Sequence, residues 1–151
     1  MKQRIIVLEN LRSLHNVGAI FRTADAAGWD KVYLCGYTGC PPDRRIEKVS
    51  LGAETWLEWQ HYQNPTECIN QLKADGFTII ALEQTDKSTD IFSAKFTDDN
   101  VALILGNEVE GVTPELLALT DYDVEIPMHG QKTSLNVSVA AGVAMYCLGK
   151  V

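Results

Sequence analysis

The sequence has no apolar stretch near the roughly 20 residues that a membrane-spanning helix requires. Its longest weakly polar segment is Val137–Leu148, so no membrane association is expected. The opening residues, MKQRIIVLENLR, hold an apolar run of only four and no small-residue cleavage site, so no secretory signal is expected either. Cysteine is sparse, with Cys35, Cys40, Cys68 and Cys147 forming no C-x-x-C pair, and His15, His61 and His129 stand alone. Zinc-ligand spacing is absent, no metal is expected, and isolated thiols fit a reducing cytoplasm. Positive charge is also short: 13 lysines and arginines face 20 acidic residues, for a net charge of −7. Overall charge therefore does not hold this chain on nucleic acid, although a local basic patch, or one built across two subunits, stays open.

What is present is ordinary for a globular protein: 151 residues, 46% hydrophobic and 22% charged. That length suits one domain over residues 1–151, large enough to fold without a metal or disulfide staple. Short apolar runs alternate with helical stretches. Ile5–Leu8, Lys31–Cys35, Thr78–Leu82, Val101–Leu105 and Asp123–Pro127 read as strands. Asn16–Ala27, closed by Gly28, and Ser134–Leu148 read as helices, the second rich in small residues at Ala140, Ala141, Gly142 and Ala144. Continuous rather than alternating apolar strands point to burial on both faces. The expected class is α/β, a parallel sheet flanked by helices. Gly36–Arg45 and Gln84–Asp90 read as loops.

Three segments carry chemistry. In Leu103-Ile-Leu-Gly-Asn-Glu-Val-Glu-Gly111 a buried strand ends in Gly106, and Gly111 follows five residues later. The spacing imitates the G-x-G-x-x-G dinucleotide fingerprint, but Glu108 replaces its middle glycine. A carboxylate there adds bulk and repels a pyrophosphate, so a ligand without phosphates and with cationic groups, such as S-adenosylmethionine, suits it better. An ordinary strand-to-helix turn, with Glu108 favoured near a helix N-terminus, is the plain alternative. Around Asn16-Val-Gly-Ala-Ile-Phe-Arg22, Asn16 reads as a helix cap, and Gly18, four residues before Arg22, reads as leaving room beside the guanidinium. Ile126-Pro-Met-His-Gly-Gln-Lys-Thr-Ser134-Leu-Asn136 runs from a strand through a glycine-bearing loop into a helix that opens with Ser134 and Asn136. No nucleophile elbow accompanies the histidines, and Gly130–Ser134 lacks the pattern of a P-loop.

Together these segments resemble the motifs of the SpoU/TrmH family of RNA ribose 2′-O-methyltransferases: N-x-G-x-x-x-R-x-A at Asn16–Ala24, L-x-L-G-N-E-x-x-G at Leu103–Gly111, and I-P-M-x-G then S-L-N-V-S at Ile126–Ser138. The resemblance spans nearly the whole chain and looks like a minimal catalytic domain without the N-terminal substrate-binding domain of some members. It implies a parallel sheet with a deep C-terminal trefoil knot, an exception to the rule that knots are essentially absent. It also implies a homodimer, with S-adenosylmethionine held bent in the knot near the subunit interface. By motif position Gly106, Ile126 and Leu135 would surround the cofactor, with Leu82 and Met128 lining the same pocket. Asn16, Arg22, Glu108, Ser134 and Asn136 match the family's catalytic positions. The family's arginine is described as a general base. A guanidinium stays protonated in proteins, so Arg22 gripping a phosphate beside the target ribose is the reading preferred here.

The resemblance implies an RNA substrate, tRNA ahead of rRNA, in the cytoplasm. Lys2, Arg4, Arg12, Arg22, Arg44, Arg45, Lys48 and Lys132 are the contacts to consider, with Arg12, Arg44, Arg45 and Lys132 foremost. Two readings of other classes remain open at this point: a binding module of the same fold without turnover, and a nicotinamide-dependent oxidoreductase, which Glu108 disfavours.

Overall fold

The computed structural model describes residues 2–96 and 100–150. Seven parallel strands, β1 (Gln3–Glu9), β2 (Lys31–Cys35), β3 (Glu58–Tyr62), β4 (Thr78–Leu82), β5 (Thr89–Asp90), β6 (Asn100–Leu105) and β7 (Tyr122–Glu125), form one sheet in the order β3-β2-β1-β6-β4-β7-β5. The helices are α1 (Leu14–Ala26), α2 (Arg44–Ser50), α3 (Ala53–Trp56), α4 (Pro65–Ala74), α5 (Pro114–Leu117) and α6 (Val137–Cys147). Successive side chains of a strand point to opposite faces, so each central strand feeds two cores. From β1, Ile6 and Leu8 pack with Val17, Phe21, Ile46 and Met145 of α1, α2 and α6. Ile5 and Val7 pack with Ile69 and Leu72 of α4 and Leu116 of α5. Burial on both faces is why these strands carry unbroken apolar runs.

Several local expectations are corrected. Asn16 does not cap α1; the cap is Ser13, whose side chain accepts from the Asn16 backbone N–H. Gly18 does not leave room for a guanidinium. A Cβ on it would lie 2.5 Å from the Ile46 carbonyl oxygen, so this glycine lets α1 and α2 approach closely. The strand expected over Asp123–Pro127 ends at Glu125, where Pro127 could not donate to a ladder. The last helix starts at Val137 rather than Ser134, capped by Asn136, which accepts from the Ser138 N–H at 2.9 Å. Arg44 and Arg45, read as loop, open α2 behind the Asp43 cap. Arg4, read as an RNA contact, is 1% exposed, and its Nε donates to the Leu148 carbonyl at 2.7 Å.

The order of strands builds the site. From β1 the chain moves outward through β2 to β3, then crosses to β4, and β6 returns to lie between β1 and β4. Because every pairing is parallel, β4, β6 and β7 end at the same edge of the sheet. Clefts in open α/β sheets form at such carboxyl ends, beside a reversal of strand order.

Candidate active site

Three loops leave that edge: residues 83–88 after β4, 106–113 after β6 and 126–136 after β7. Between them lies a cleft of about 290 Å³, near the lower end of the volumes of small-molecule sites. Leu82, Leu105, Ile126, Met128, Leu135, Val137 and Ala140 supply apolar wall, and Glu83, Glu108, Glu110 and Glu125 supply carboxylates. Ser134 also lines it, and no lysine or arginine is among the lining residues. The structure thus brings Gly106, Ile126, Leu135, Leu82 and Met128 around one space, although they come from three separate stretches of chain.

The turn after β6 is built by glycine and one asparagine. A Cβ on Gly106 would overlap the Gly111 carbonyl carbon and the Val112 nitrogen. Gly111 has φ of 73°, and a side chain there would strike the Glu83 carboxylate. Asn107 closes the turn: its N–H donates to the Gly111 carbonyl at 3.2 Å, and the Gly111 N–H donates back at 2.9 Å. Its side-chain Oδ1 accepts from Val109 N at 2.8 Å and Glu110 N at 3.0 Å, while Nδ2 donates to the Asn10 carbonyl and the Tyr37 hydroxyl. The amides that would cradle a pyrophosphate are therefore already taken, which removes the basis of the nicotinamide reading. Two further carboxylates clamp the next residues. Glu83 accepts from Val112 N at 2.8 Å, and buried Glu9 accepts from the Thr113 N–H and hydroxyl. Sequence reasoning missed Glu83 and Glu9. Each follows or ends an apolar strand as a single acid, which is the only signal the sequence offers.

Glu108 ties this turn to α1. Its carboxylate accepts from Arg12 N and Ser13 N, both at 2.9 Å, and from the buried Asn16 Nδ2 at 3.2 Å. Burial alone would raise its pKa; the backbone donors Arg12, Ser13 and its own N–H, with Asn16, outweigh that and hold it below the usual glutamate value. A lowered carboxyl contributes stability that is complete above the unfolded-state pKa and is lost as pH falls through the folded one. Glu108→Gln is expected to lower stability at neutral pH by about 1 kcal/mol, solvent exposure having reduced the usual value for hydrogen bonds to a charged group. Thermal melts from neutral to acid pH check this: the gap between wild type and variant closes as pH drops through and below the carboxylate range. A gap that does not narrow in acid would show the charge to be irrelevant.

The remaining residues expected at catalytic positions from the sequence are spread more widely. Asn136 is exposed, and its Oδ1 caps α6 and accepts from the Ser138 hydroxyl at 2.6 Å. Arg22 is exposed on α1, does not line the cleft, and makes no hydrogen bond or ion pair among the described residues. Of the foremost RNA-contact residues, Arg44 and Lys132 are exposed, and Arg45 pairs with Asp43 at 3.0 Å. Arg12 is exposed beside its bonded backbone.

The model of the SpoU rRNA Methylase family matches residues 3–146. The chain belongs to this family. Its relatives include a tRNA (guanosine(18)-2′-O)-methyltransferase of Aquifex aeolicus, 35% identical over 96% of this chain and 68% of that protein. The enzyme of the same name from Escherichia coli K12 is 33% identical over 93% of this chain, which spans 60% of the relative's length. Among solved structures, an AdoMet-bound rRNA methyltransferase from Sinorhizobium meliloti superposes with a TM-score of 0.90 at 28% identity, covering 96% of this chain and 55% of that one. The matched region of these SpoU proteins is thus the sheet and cleft described above, and each relative carries further chain outside it.

Proposed function

We propose that this SpoU-family chain transfers a methyl group from S-adenosylmethionine to a ribose 2′-hydroxyl of tRNA. The observation that carries the reading is the cleft itself at the edge where β4, β6 and β7 end: apolar walls, four glutamates, of which Glu83 and Glu108 already accept backbone N–H groups, and no lysine or arginine in the lining. Such a lining fits a molecule with an apolar face and positive charge, and opposes one whose recognition rests on phosphates. Leu82, Gly106, Ile126, Met128 and Leu135 would hold the cofactor, with the glycine-built turn leaving space for close backbone approach. When bound, that molecule supplies a sulfonium-activated methyl group.

The protein's own task is to place the ribose hydroxyl and favour loss of its proton. Arg22, a permanent cation, is assigned to the phosphate beside the target ribose, where its planar fork fixes the hydroxyl's orientation. Because Arg22 does not line the cleft of its own chain, we assign it to the cleft of a second copy, which makes the active unit a homodimer. The exposed Val139 and Tyr146 and the small residues Ala140 and Gly142 of α6, which packs against α1, supply a surface suited to that contact. Glu108 and Asn16 act through the loop and helix they join, and Ser134 faces the substrate side. We further infer that the segment after β7 completes a trefoil knot. Support comes from β4 lying between β6 and β7 although it precedes both in sequence, and from Gln84 Nε2 donating across to the Thr133 carbonyl at 3.5 Å. A tRNA substrate would set the reaction in the cytoplasm.

The direct test is methyl transfer from labelled S-adenosylmethionine to separate pools of unmodified tRNA and rRNA, followed by nucleoside analysis. A 2′-O-methyl nucleoside in the tRNA pool is the expected result. Product only in the rRNA pool would move the substrate to the class named by the family description. Cofactor binding with no product in either would favour the binding module.

A further inference from the structure

An acidic chain that works on a polyanion must concentrate the few cations it has. The cofactor cleft contains none of them, and Arg4 is buried. The structure gathers Arg12, His15, Arg45 and Lys48 instead around a depression of about 390 Å³ between the start of α1 and α2. Arg44, adjacent to Arg45 in sequence, is not part of it. Close packing and an ion pair build the platform. Gly18 lets α1 and α2 pack at backbone distance, and the Asp43 carboxylate takes Nε of Arg45 at 3.2 Å and Nη2 at 3.0 Å. A guanidinium has five N–H donors, so three remain for a ligand after those two bonds.

The depression adjoins the cleft through one residue. Glu108 lines the cleft, and its carboxylate holds the backbone of Arg12 and Ser13, which line the depression. We propose that this depression is a phosphate subsite that receives the RNA backbone flanking the target nucleotide, with Arg12, Arg45 and Lys48 as its charged contacts. The inference rests on the methyltransferase reading and specifies where that substrate is held. Phosphodiester is the occupant the chemistry selects, since convergent cations beside a glutamate-lined cleft position a strand without reading its bases.

The experiment is tRNA binding across a salt series, read by fluorescence anisotropy, for wild type, Arg12→Ala, Arg45→Ala, Lys48→Ala and the Arg12→Ala/Lys48→Ala double variant. Lys73→Ala, on α4 against the opposite face of the sheet, changes charge equally and serves as the control. Each subsite variant should reduce the slope of log K against log salt by about 0.7–0.9, the value of one phosphate contact. The double variant should lose nearly twice that, Lys48→Arg should keep it, and cofactor affinity should be unchanged throughout. A double variant with the wild-type slope, in a protein that binds and methylates tRNA, overturns the subsite and leaves the methyltransferase reading standing. Wild-type RNA binding that is flat in salt overturns both.

Discussion

Arg22→Ala is expected to abolish methyl transfer while cofactor affinity stays near that of the wild type. The side chain is exposed, makes no hydrogen bond or ion pair among the described residues and lies outside the cleft, so its removal leaves no cavity and no orphaned group. Whatever it contributes is made only with substrate present. Losing one positioned donor at a developing charge typically costs about 10²–10³-fold in rate, and the role proposed for Arg22 adds orientation of the nucleophile, so single-turnover transfer should fall by at least that much. Arg22→Lys keeps the charge but loses the planar fork, and should recover only part of the rate. Calorimetric titration with S-adenosylmethionine separates binding from turnover. Wild-type turnover in Arg22→Ala would remove the assigned role. If Arg22 serves the neighbouring subunit's cleft, mixing Arg22→Ala protein with a cleft-defective variant should restore activity that neither has alone.

The second large effect is the converse, a loss of cofactor binding in Gly106→Ala. The added Cβ overlaps backbone atoms of Gly111 and Val112, which cannot swing aside as a side chain would. Relief requires opening the turn that Asn107, Glu83 and Glu9 hold shut. Overpacking of this kind costs about 1–3 kcal/mol, which corresponds to roughly 5- to 150-fold in cofactor affinity if the strain falls on the bound form. Gly130→Ala, in the loop after β7, meets nothing within 4 Å and should bind as wild type does. Equal affinities for the two variants would show that the turn's close approach plays no part in forming the cleft.

Five strands and two long helices were legible because their signals are local. Lys31–Cys35 and Thr78–Leu82 have the boundaries read from their apolar runs. The missed elements have local reasons too. β3, Glu58–Tyr62, lies at the sheet edge and shows solvent a mostly polar set, so no apolar run announces it. β5 has only two residues and pairs with β7 alone. Helix α4 carries a readable start in Asn64, Pro65 and Glu67, followed by Cys68, Ile69 and Leu72 at helical spacing.

The alternation of buried strands and helices, the glycines of the turn after β6 and the three ordered segments that mark the family are all written locally in the chain. These depend on neighbours within a few residues, where chain geometry leaves little choice. It takes the folded chain to bring Leu82, Gly106 and Leu135 to one cleft, to bury Arg4 while Arg12 and Lys48 share a depression, and to leave Arg22 outside its own chain's cleft. Those outcomes turn on which strands lie side by side. Strand order is set by burial of two whole faces at once, a property of the assembled sheet that no single segment carries.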